Sequence, residues 1–208
     1  MPHAASPATS RSRGERHGAP RWIGNDWTSE EQACIDRRMD DATFWELIDD
    51  ARMRCKPAST NDTDQQHAIL EELLAARSAA EIAEFDQIFR RLHVAAYSWD
   101  LWAAAYIIEG GCSDDGFTDF RSGLIGLGRE VYENAVRDPA TLISLPTRGV
   151  DFSNELMMYA APNAHERVAG EELPFDDAEV PHEPAGRPWQ EAHVTERYPE
   201  LAKKFGHR

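Results

Sequence analysis

The side chains with chemical capacity crowd into one stretch, Tyr97 to Asp138 (YSWDLWAAAYIIEGGCSDDGFTDFRSGLIGLGREVYENAVRD), with His93 just before it. On a helix opened by Ser98 or Trp99, the residues Trp102, Ala105, Tyr106 and Glu109 recur at i, i+3, i+4, i+7 and share a face, while Leu101, Ala104 and Ile108 lie on another. A helix apolar on both sides belongs at the centre of a bundle. Glu109 then lies near a partly buried surface, where a carboxylate needs a partner such as Arg121 or Arg129. The chemistry this suggests is a ligand pocket floored by Trp102 and Tyr106, with carboxylates and an arginine at its mouth. Its candidate residues are Trp99, Asp100, Trp102, Tyr106, Glu109, Arg121 and Arg129. The competing explanation is an ion-pair network that locks three helices together, since perturbed ion pairs occur in both settings. No residue is assigned a catalytic role and no cofactor is implied.

Other chemistries are weaker. Asp114 and Asp115, with Asp119 and Glu109, supply oxygens for a hard cation, but the spacing is not that of a calcium loop, and acids in a first helical turn answer the helix dipole without any metal. No metal site is therefore assigned. Cys112 sits just before a helix start, a position that lowers a thiol pKa, with His93 as the nearest candidate base; a small buried cysteine in a turn is the commoner outcome. His67, His93 and His165 show no HxxxH or HExxH pairing. Trp99 and Trp102 are a stacking platform or, more commonly at this spacing, core and rim. Residues 123–128, GLIGLG, are neither a P-loop nor a dinucleotide-binding turn after a strand.

The elements that must position these groups read as helices. Phe44, Leu47, Ile48 and Ala51 mark one face of a helix from about Asp41 to Arg54. Thr63/Gln66 and Ser78/Glu81 have capping-box spacing and start helices carrying Ile69, Leu70, Leu73 and Leu74, then Ile82, Phe85, Ile88, Phe89 and Leu92. Gly110-Gly111 fits a left-handed cap. Ser113 caps the next helix, with Phe117, Phe120, Leu124 and Ile125 inward; Gly123, Gly126 and Gly128 either admit a close neighbour or break it before Arg129 to Val136. Asp138-Pro139 opens a short turn through Leu142. Beyond Pro146 the pattern predicts a helix over Asn154 to Ala161, another from Pro162 to Val168, and a small terminal one from Tyr198 to Phe205. Residues 171–188, acidic and proline-rich, read as a loop over the surface or a disordered linker. Strand signals are nearly absent. The fold class is all-α: a multi-helix bundle with a disordered N-terminal tail and a loop-rich C-terminal extension.

The totals agree. The chain has 208 residues, enough for one domain with a core, divided here as an N-terminal extension (1–38), disordered apart from a short polar helix near Ser29 to Arg38, a helical domain (39–170) and a C-terminal segment (171–208). Met39, just before the first strong helix signal, reads as an alternative start. A net charge of −15 repels phosphate backbones and attracts basic surfaces, so a basic protein partner is expected and nucleic acid is not. No apolar run is long enough to span a membrane and no secretory h-region is present. Three widely spaced cysteines, Cys34, Cys55 and Cys112, form no disulfide framework. Reduced thiols in a cytoplasmic protein are the expectation.

The run Thr43-Phe44-Trp45-Glu46-Leu47-Ile48, then Trp99-Asp100-Leu101-Trp102-Ala103-Ala104-Ala105-Tyr106, then Gly110-Gly111-Cys112-Ser113-Asp114-Asp115, with Phe120-Arg121 and Leu124 to Tyr132, resembles the bacterial domain of unknown function 4240 family. The resemblance covers about Asp40 to Leu142, with an echo at Ala164 to Pro174. It carries no activity to transfer. Two functions from different classes remain as expectations: a binding or accessory protein that meets a basic partner, or a small enzyme or ligand-binding protein built on the Trp/Tyr/Glu/Arg pocket.

Overall fold

A cap fixes the start of the first helix: Asp40, in extended backbone, accepts the Thr43 amide at 2.8 Å. The computed structural model describes residues 38–55, 62–147, 150, 152–174 and 181–206, with backbone alone at 62–64. The order is α1 (Asp41–Arg54), α2 (Asp62–Ala75), α3 (Ala79–Ala95), α4 (Trp99–Glu109), α5 (Asp114–Gly126), α6 (Arg129–Arg137), 3-10 turns at Pro139–Ser144 and Glu155–Tyr159, α7 (Ala160–Ala169), a 3-10 turn at Glu191–His193, α8 (Val194–Arg197) and α9 (Pro199–Phe205). Among the described residues the only extended pairing is an isolated parallel bridge, Ser98 with Ala185. The fold is all-α. The expected N-terminal tail and its short polar helix lie outside the described residues.

The caps show why these segments fold locally. Ser78 and Glu81 form the expected reciprocal box, each accepting the other's amide at 3.0–3.3 Å. Ser98 accepts the Leu101 amide at 3.2 Å, Ser113 the Gly116 amide at 3.1 Å, and Asp138 the Ala140 amide at 3.0 Å. Gly110 closes α4 at φ 73°, a left-handed conformation that costs glycine little. The Thr63 side chain of the expected Thr63/Gln66 box lies outside the description. α2 already starts at Asp62, upstream of Thr63, and Gln66 donates from Nε2 to the Gly126 carbonyl at 2.8 Å, tying α2 to the end of α5.

After residue 146 the structure corrects the sequence pattern. In place of two helices, the 3-10 turn Glu155–Tyr159 runs directly into α7. Pro162 lies in the first turn of α7, where an amide would have no intrahelical partner to lose. Of the proline-rich stretch 171–188, residues 181–188 lie over the surface of α4, through the Ser98–Ala185 bridge; residues 175–180 lie outside the description.

The core is built around aromatic rings. Phe44, Phe85, Phe117, Phe120, Phe152 and Phe205 are all fully buried, and burying a side chain of this size stabilises by roughly 1.5–3 kcal/mol. Phe44 meets Phe85 at 4.5 Å between centroids; Phe120 stacks on Phe152, which meets Phe205 edge-on. α2 and α3 both pack on α7, whereas α4 packs on α5, α8, α9 and the first 3-10 turn. With Leu101, Ala103, Ala104, Ala105, Ile107 and Ile108 all buried, α4 is the central helix that its two apolar faces predict. No helix among the described residues is long and apolar enough to cross a membrane.

Candidate functional site

α4 brings Trp99, Asp100, Trp102 and Tyr106 to one side of the molecule. Trp102 is fixed by its indole, which donates to the Cys112 carbonyl at 3.0 Å. Its ring lies between Trp99, stacked at 5.2 Å, and Phe117, stacked at 5.1 Å. The face is covered. Trp189 stands edge-on to Trp99 and Trp102 at 6.2 Å each and to Tyr106 at 5.1 Å. The Tyr106 hydroxyl donates to the Glu191 carboxylate, which holds the phenol above its usual range. Asp100 pairs with Arg197. Sequence reasoning missed Trp189, Glu191 and Arg197. The available signal was Trp189 itself, a large apolar ring in a polar stretch, which must find cover somewhere.

Arg121 and Arg129 are not at this face. Arg121 is only 6% exposed and turns into the core. Its Nη1 donates to the His93 carbonyl at 3.0 Å, Nη2 to Thr118 Oγ1 at 3.2 Å and Nε to the Phe117 carbonyl at 3.3 Å. Its guanidinium lies over the rings of Tyr97 and Phe117. Burial pushes it down to about 10, still well above neutral pH, so it stays a cation. Arg129, on α6, is exposed and pairs with Glu133 one turn on, at 2.7 Å. Arg121 is therefore not at the mouth of a pocket on this face. The physical reason is that the end of α3 leaves a carbonyl needing a donor, and Arg121 meets that need.

A second constellation forms at the junction of α4 and α5. Glu109, Asp114, Asp115 and Glu155 are exposed and Asp119 is half-buried. Burial, and then the charges of Glu155 and Asp115, push the Asp119 carboxyl up. At the same junction burial, and then Glu109 among its neighbours, push the Cys112 thiol up to about 12. A thiol so shifted is protonated at neutral pH and is not a nucleophile. Its expected base is elsewhere: His93 donates from Nε2 to the Thr118 carbonyl at 3.0 Å and is pushed down to about 4 by burial and then by Arg121. Asp114 and Asp115 occupy the first turn of α5, with Ser113 as the cap. Among the described residues no group of three or more His, Cys, Asp or Glu side chains is placed to hold a metal ion.

Of the described clefts, one of about 710 Å³ lies between Met39, Asp41, Glu84, Ile88 and Arg91, with no α4 residue in its lining. No curated protein and no solved structure matches the chain. A family model described as "Protein of unknown function (DUF4240)" matches residues 39–167, from just before α1 into α7. Both constellations draw their α4 and α5 residues from that span, and the chain belongs to the DUF4240 family.

Proposed function

We propose that this chain is a binding or accessory protein whose partner is basic, and that the two meet at the acidic corner between α4 and α5. The observation that carries this is the gathering of Glu109, Asp114, Asp115, Asp119 and Glu155 from α4, α5 and the Glu155–Tyr159 turn, close enough for Asp115 and Glu155 to raise the Asp119 carboxyl. Like charges held together repel, and a cationic surface relieves that repulsion on docking. Among the described residues Asp114, Asp115, Asp119 and Glu155 enter no ion pair, while Asp49, Asp50, Asp86 and Glu133 each pair with an arginine on their own helix. The whole chain, at −15, adds a field that steers such a partner inward. The alternative, a Trp/Tyr/Glu/Arg ligand pocket, draws no support from Arg121, which is committed to the core.

The test uses a fluorescent arginine-rich peptide as the probe and reverses charge in two places. Asp114→Lys with Asp115→Lys changes the corner; Glu46→Lys with Glu130→Lys changes net charge equally on α1 and α6. The corner variant should bind about tenfold more weakly than the control variant at physiological salt, where distant charges are screened. Equal weakening by both would overturn the proposal, because net charge alone would then explain binding.

A further inference from the structure

The aromatic face of α4 is occupied by an extended piece of the same chain, and the contacts are those of a docked peptide. The Trp99 amide donates to the Ala185 carbonyl and the Ala185 amide to the Tyr97 carbonyl, both at 2.9 Å. Across residues 181–193 only two side chains leave solvent: Pro184 is buried and Trp189 half-buried, and all others are exposed. Backbone pairing for affinity with isolated anchors for selectivity is how extended peptides are recognised. A core element would turn a continuous stripe inward instead. Two clasps hold the segment: Tyr106 on Glu191, and Arg197, which pairs with Asp100 and donates to the Arg187 carbonyl. Downstream, α9 is anchored independently. Leu201 and Phe205 are buried, and Lys204 donates to the carbonyls of Ile143 and Leu145 at 2.6 Å each.

The fit is imperfect at its main anchor. Among the described residues the buried Trp189 indole nitrogen has no hydrogen-bond partner, a penalty that a phenyl anchor would not carry. The face lies within residues 39–167, the span shared with the family, whereas the residues covering it lie outside that span.

We propose that this face is a peptide-docking site and that residues 181–193 are its built-in occupant. The partner it fits is a protein segment of the same build, extended and proline-led with an aromatic anchor, which binds by displacing the chain's own. The site is separate from the acidic corner, and neither proposal rests on the other.

The probe is a labelled peptide of residues 181–193, titrated by fluorescence anisotropy against the full-length chain. The tethered segment competes at an effective concentration of the order of millimolar, so peptide is taken to about 1 mM. Apparent affinity falls with the fraction of molecules whose face is open, so freeing the face should tighten binding at least about tenfold. Trp189→Ala frees it by removing the anchor. Arg197→Ala loosens a clasp and leaves the anchor, so it carries the measurement if the first variant loses its helical circular dichroism. A peptide with Trp189→Ala should fail to bind, one with Trp189→Phe should bind, and Asp114→Lys with Asp115→Lys in the protein should change nothing. No binding to a folded variant, or equal binding of the anchorless peptide, overturns the proposal.

Discussion

A helix that ends inside a protein leaves carbonyls in need of donors, and at the end of α3 the His93 carbonyl receives one from Arg121. The cation is tolerated there because the C-terminal dipole of α3 favours positive charge and the rings of Tyr97 and Phe117 face it. The same arrangement decides the state of His93, whose ring stacks on Phe89 and donates to Thr118. Burial and the Arg121 charge hold the imidazole at about 4, whereas an unfolded histidine titrates near 6.5. Between those two values the unfolded chain takes up a proton that the folded chain refuses. Stability from this residue is therefore complete above pH 6.5 and is lost as pH falls toward 4. Urea titrations at pH 7 and 4.5 check this against His93→Gln, which does not titrate. The wild type should lose roughly 2–3 kcal/mol more than the variant over that interval. Parallel losses would show that His93 is not held neutral.

At the scale of elements, Gly123 sets how closely α5 approaches the chain at Phe152 and Asn154. A Cβ there would sit 2.3 Å from the Phe152 carbonyl oxygen and 2.7 Å from its carbon, beside the bond from the Asn154 amide to the Asp119 carbonyl. Gly116, in the first turn of the same helix, has only Ser113 Oγ and Cys112 Sγ near, at 3.4 and 3.6 Å. Gly123→Ala should therefore destabilise by about 1–3 kcal/mol through overpacking, and Gly116→Ala should stabilise by up to about 1 kcal/mol through helix propensity. Chemical denaturation of both variants tests the pair, and shifts of the same sign would refute the packing argument. Gly123 also explains where the elements stop being legible. Faces of α1, α3, α4 and α5 follow from apolar spacing, and the caps at Ser78, Ser98, Ser113 and Asp138 from residue type alone. The Glu155–Tyr159 turn does not, because what holds that stretch is a neighbouring helix with a glycine at the contact, and no local pattern encodes it.

At the scale of the molecule, the same limit divides the candidate site. Trp99, Asp100, Trp102 and Tyr106 were legible as a group because one helix carries them. Arg121 was misplaced because helical spacing shows which residues share a face and not which carbonyl a distant helix leaves open. Trp189, Glu191 and Arg197 reach α4 only because the chain returns from α7, so nothing periodic announces them. That return has a consequence for cooperativity. Segments with few buried contacts open locally, at a lower free energy than the whole fold, and residues 181–193 bury little besides Pro184 and Trp189. The Trp99 amide is the first of α4 and has no intrahelical acceptor; its bond goes to Ala185, whose own amide bonds back to Tyr97. One opening event frees both. Native-state hydrogen exchange should show Trp99 and Ala185 exchanging at a matched rate, at least about tenfold faster than Ala105 or Ile108 in the interior of α4. The α9 amides should stay protected, because Leu201 and Phe205 remain buried when the segment lifts. Protection of Trp99 and Ala185 equal to that of Ile108 would make residues 181–193 part of the global folding unit, and a partner could then reach the aromatic face only by unfolding the protein.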